Sequence, residues 1–142
     1  MTASAASPTA TTAPQRVLLA AGLAAVLSAV AAAAVALASG PLGVTPLPQL
    51  TPAVDAVFAA VAAVIGAIGW QLVRGRAADP RRVLSRLVPA VLAASFVPDV
   101  VLGVLTAANT GIAPVVALAL MHVTTIAISV AVYARVLPVS RA

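Results

Sequence analysis

Two side chains able to carry charge lie deep within otherwise apolar sequence. One is Asp99, in Ser95-Phe96-Val97-Pro98-Asp99, and the other is His122, in Leu120-Met121-His122. A carboxylate beside an imidazole can relay a proton, bind a cation or small solute, or pin two helices in register. Zinc takes three or four protein ligands, so one His and one Asp predict no metal site. Asp55 is a possible third oxygen, from the outer side only. At 100° per residue, Ser95, Gly103 and Thr106 share a helical face with Asp99, while Thr125, Ser129 and Tyr133 share one with His122. The candidate intramembrane polar site is therefore Asp99, His122, Ser95, Thr125 and Ser129. With no cysteine, the chain excludes a disulfide framework, a thiolate site and a Cys nucleophile. It contains no G-x-S-x-G, no H-E-x-x-H, no phosphate-binding Gly loop and no carboxylates paired at helical spacing. We expect no catalytic residue, no cofactor and no enzymatic activity.

The elements that must position this pair are membrane helices. Of 142 residues, 63% are hydrophobic and 8% charged, and the mean hydropathy is +1.15. A soluble domain carries about 25% charged residues, so eleven charges cannot clothe a water-facing surface. Residues 1–15 hold only Ala, Ser, Thr, Pro, Gln and Met, and read as a disordered tail. Within 16–137, four apolar stretches follow at about 17–39, 52–73, 82–107 and 114–136, with a short tail at 138–142. About 20 residues cross a bilayer core of roughly 30 Å, so each stretch is long enough. Gly40-Pro41 closes the first stretch, Thr51-Pro52 opens the second and Asp79-Pro80 opens the third. A signal peptide ending at Ala36-Leu37-Ala38 is the competing reading of the first stretch, but that stretch is too long for an h-region. Short connections predict an all-α, integral membrane, up-down-up-down four-helix bundle. In that threading Asp99 and His122 each lie about eight residues from the same outer turn, roughly 12 Å deep. They should meet.

All eight basic residues are arginines, and their placement sets the orientation. Arg16 precedes the first span, Arg74, Arg76, Arg81, Arg82 and Arg86 lie between the second and third, and Arg135 and Arg141 flank the fourth. Segments 40–51 and 108–113 carry no charge. The positive-inside rule then places both termini and the 74–86 cluster in the cytoplasm, across a plasma membrane, with that cluster at lipid headgroups. Trp70 and Tyr133 fall near the same ends, where headgroup anchoring is expected. The bilayer is the expected partner, together with itself or another membrane subunit, and no nucleic acid. Asp55, Ala59, Ala62, Gly66 and Gly69 lie within about 40° of one line on the second span, a small-residue groove suited to helix packing. Pro98 should bend the third span beside Asp99, and Pro89 should bend it near the cytoplasmic interface. Two functions fit. The first is a structural or interaction bundle packing through Ala/Gly faces. The other is a proton-linked small-solute transporter or sensor using Asp99 and His122.

The run Ser95-Phe96-Val97-Pro98-Asp99, with Met121-His122 and the Ala/Thr-rich leader, resembles a family of small four-helix actinobacterial membrane proteins known as a domain of unknown function. The resemblance spans about 16–137. It implies the four-span fold and a polar site near Pro98-Asp99 and His122, and it implies no activity. Exclusive use of Arg over Lys fits a high-GC genome.

Overall fold

A computed structural model describes residues 13–41, 51–110 and 112–139, with only the backbone of 106–110. Positions 1–12 of the expected 1–15 tail, 140–142 of the expected 138–142 tail and most of the 40–51 connection lie outside the described residues. Four helices make up the fold: α1 Ala13–Ser39, α2 Pro52–Arg76, α3 Pro80–Thr110 and α4 Ala113–Val136. All four are long and apolar enough to cross a membrane, and the chain is a multi-pass all-α bundle. Large apolar side chains such as Leu18, Val26, Val57, Val104 and Leu105 stand exposed around its circumference, as hydrocarbon-facing surfaces require. Several hydroxyls within the helices turn back on their own backbone. Ser39 donates to Val35 O at 2.7 Å and Thr124 to Leu120 O at 2.9 Å, which satisfies them without water.

The helix ends follow their capping residues. Thr51 Oγ1 accepts from Val54 N at 3.3 Å, with Pro52 in the first turn. Asp79 Oδ1 accepts from Arg82 N at 3.0 Å and starts α3. Two boundaries differ from the sequence reading. α1 begins at Ala13, taking Pro14 and Gln15 out of the expected tail, because proline suits a first helical turn. The 74–86 segment is mostly helix: Arg74 and Arg76 end α2, Arg81, Arg82 and Arg86 begin α3, and only 77–79 connect them. α3 runs unbroken through Pro89 and Pro98.

Among the described residues, α1 packs along α2 and α4, α4 touches all three other helices, α2 and α3 touch least, and α1 and α3 do not meet. The buried core lies toward the arginine-bearing end, where Ala20 and Ala24 of α1 meet Ala63, Ala67 and Trp70 of α2 and Val132 and Tyr133 of α4. Alanine on facing helices lets backbones approach closely, so dispersion supplies the adhesion that hydrophobic exclusion cannot supply in lipid. This corrects half of the expected packing face of α2. Its buried line is Ala59, Ala63, Ala67 and Trp70, so Ala59 packs as expected, and Gly66 does too, since a Cβ there would lie 3.1 Å from Tyr133 Oη of α4. Ala62 is exposed and a Cβ added at Gly69 would meet nothing within 4 Å; the Asp55–Gly69 line borders a cavity.

Trp70 and Tyr133 also depart from expectation. Both are buried rather than turned to the headgroups, with ring centroids 5.7 Å apart. Each ring's polar tip finds a carbonyl inside the bundle. Trp70 Nε1 donates to Leu137 O at 3.1 Å, and Tyr133 Oη donates to Ala63 O. A satisfied donor can be buried, and an interface anchor is then unnecessary.

Candidate functional site

The polar face of α4 is distributed among its neighbours. His122 meets Asp99 of α3, Ser129 Oγ lies 3.5 Å from Ser28 Oγ of α1, and Tyr133 bonds Ala63 O of α2. Each successive polar residue, about two turns or one turn further along, thus ties α4 to a different helix. Helical rotation produces this, since neighbours on one stripe still diverge by tens of degrees.

The structure brings Asp99 and His122 together, with His122 Nδ1 2.9 Å from Asp99 Oδ2. The same Nδ1 lies 3.0 Å from Leu118 O, one turn back on its own helix. One N–H cannot point at both acceptors. Its alignment favours Leu118 O, and Asp99 Oδ2, fully shielded from solvent, is left in contact with the ring but without an aligned donor. Asp99 is only 5% exposed. Phe96 stands edge-on to the imidazole at 6.2 Å and restrains the ring. At the end of the seam remote from the arginines, α3 and α4 approach so closely that a Cβ on Gly103 would lie 2.6 Å from Val115 Cγ2.

A cavity of about 760 Å³ opens where α2 and α3 fail to close on each other. Asp99, His122, Ser95, Thr125 and Ser129 all line it. Ser95 is already satisfied by Leu92 O at 2.7 Å, and Thr125 is buried on the α4 wall. Asp55, half-buried in the first turn of α2, lines the same cavity. It does not join Asp99 and His122 in a ligand cluster: among the described residues no three of His, Cys, Asp and Glu could hold one metal ion. Arg74, Arg76, Arg81, Arg82 and Arg86 are absent from the lining and belong to the α2–α3 end of the bundle.

Sequence reasoning missed Phe58 and Trp70 as lining residues, while Tyr133, which it put on the stripe of His122, lines the same cavity. Phe58 sits three residues beyond Asp55, beside the small-residue line, and that spacing was a usable signal. The small residues were legible, but not the gap they leave. Ranged against known proteins, the chain matches no family model, no curated protein and no solved structure. The likeness to actinobacterial four-helix proteins therefore rests on the sequence motifs alone.

Proposed function

We propose that this chain is a proton-linked transporter or sensor of a small solute, with Asp99 and His122 as its polar centre. One observation carries the reading: a cavity of drug-sized volume reaches a buried carboxylate whose Oδ2 has no aligned donor. A hydrogen-bonded pin between two helices has no need of such a space. The Ala20, Ala24, Ala63 and Ala67 faces that would serve a purely structural bundle are used up within the chain. No catalytic step is assigned. Both termini and the arginine-bearing end belong on the cytoplasmic side of a plasma membrane in this reading, with those arginines at anionic headgroups. A cysteine at Gly75 should then resist an impermeant thiol reagent in intact cells, and one at Ile112 should react.

A packing bundle that joins itself or another subunit is the second reading. Ala62 and Gly69 favour it, since these small residues of α2 sit on a face that no helix of this chain closes. Dicyclohexylcarbodiimide, an apolar reagent that adds to a protonated carboxyl, separates the two. We expect one adduct in membranes, mapped by mass spectrometry to Asp99 and lost in Asp99→Asn. No adduct, or one confined to Asp55, would overturn the solute-site reading, because a partner helix seated in the cleft would shield Asp99.

A further inference from the structure

The cavity's chemistry is uneven. Its walls are chiefly aliphatic, with Ile65, Leu87, Val91 and Leu102 among them, and they carry three of the chain's four aromatic side chains. Its ionisable groups are two carboxylates, Asp55 and Asp99, one imidazole, His122, and the Tyr133 phenol, which is engaged with Ala63 O. No arginine lines it. Any fixed charge an occupant meets is therefore negative or, at His122, shared with Asp99. An ionised carboxylate buried in hydrocarbon is costly until a partner neutralises it. His122 serves only in part there, because its Nδ1, 2.9 Å from Asp99 Oδ2, also lies 3.0 Å from Leu118 O and is shared between the two. Aromatic faces such as Phe58 and Trp70 add attraction for a cation.

The mouth has its own signature. Phe58 and Ile65 of α2, and Leu87 and Val91 of α3, both line the cavity and stand exposed on the outside of the bundle. They form an apolar lip that runs along the cleft, from Phe58 near the first turns of α2 to Leu87 toward the arginine-bearing start of α3, within segments apolar enough to lie in hydrocarbon. From the lip, the anionic pole and the apolar walls together, we infer that the cavity takes an apolar organic cation, which enters sideways from the bilayer between α2 and α3 and sets its charge against Asp99. This inference rests on the solute-site reading and adds to it the class of solute and its route.

The test uses two probes of nearly one shape and opposite charge, tetraphenylphosphonium and tetraphenylborate. Binding to the purified full chain is measured by equilibrium dialysis, net of protein-free micelles. The cation should bind, with the borate about tenfold weaker or more. Asp99→Asn, equal in size and without charge, should weaken the cation about tenfold and strengthen the borate, bringing the two probes close together. Gly69→Leu keeps the carboxylate and grows a side chain into open space on the facing wall, so it should abolish phosphonium binding while the bundle stays folded. That variant decides the matter if Asp99→Asn does not fold. Equal binding of both probes would overturn the cation assignment, as would cation binding indifferent to both substitutions. If neither probe binds while the carbodiimide still labels Asp99, this inference fails and the solute site stands; if labelling fails too, both fall.

Discussion

The two flanks of α2 are built from similar residues and end in opposite states. Toward α1 and α4, Ala63 and Ala67 are only 2% and 0% exposed, and the helices close backbone to backbone. Toward α3, Ala62 and Gly69 look into a cavity. Small residues permit close approach and do not compel it; a neighbour must also be held there. α1 is held by its alanines, and α4 by Tyr133 and Ser129. Among the described residues no hydrogen bond or ion pair seen here ties α3 to α2, whereas the contact of Asp99 with His122 pulls α3 toward α4.

The sharpest way to break this contrast is to crowd the closed flank. Ala67→Leu puts three carbons into a seam with no room, and should cost at least about 3 kcal/mol in denaturation of the detergent-solubilised protein. Ile65→Leu, on the exposed side of the same helix, should lie within about 0.5 kcal/mol of the parent. Equal losses would mean that the buried line has been misplaced. Gly103→Ala comes next. Its new methyl meets Val115 at 2.6 Å and should destabilise α3 against α4 by about 1–2 kcal/mol. Val115→Ala in the same chain should restore most of that loss, and a purely additive double variant would show that the two do not touch. Tyr133→Phe removes the hydroxyl from Ala63 O while keeping the ring on Trp70. About 0.6 kcal/mol is the expected loss, the average for hydrogen bonds between membrane helices. Smallest of all, Gly69→Ala should leave stability within about 0.5 kcal/mol, because nothing stands in its way. A large effect there would mean that the open flank is closed in the membrane.

What was legible in the sequence was whatever depends on length, charge and depth. Spans of 20 or more apolar residues, caps at Thr51 and Asp79 and the meeting of Asp99 with His122 follow from counting along helices that alternate direction. Rotation was not legible. In α1 every face carries Ala, Leu or Val, so no stripe marks the buried side, and Ala20, Ala24, Ser28 and Ala32 emerge only once α2 and α4 are in place. The α2 groove was read one face away from its buried line for the same reason, since Ala62 and Ala63 are the same residue. Trp70 and Tyr133 were misplaced because a ring's preference for the interface yields when a carbonyl inside the bundle accepts its polar tip. The cavity is a mismatch between two helices and has no local signature at all.

The connections of α3 carry a mechanical consequence. Three residues, 77–79, join its first turn to α2, and two, 111–112, join its last turn to α4. At roughly 3.5 Å per step, the four and three steps between the helix ends reach only about 10–14 Å, so neither end of α3 can travel far. A rod pinned at both ends cannot swing like a door; it can only bow. The places where it bends most easily are those where proline removes a backbone bond, Pro89 and Pro98. Pro98 adjoins Asp99, so the largest excursion of the helix falls at mid-span, next to its carboxylate, while the ends stay fixed.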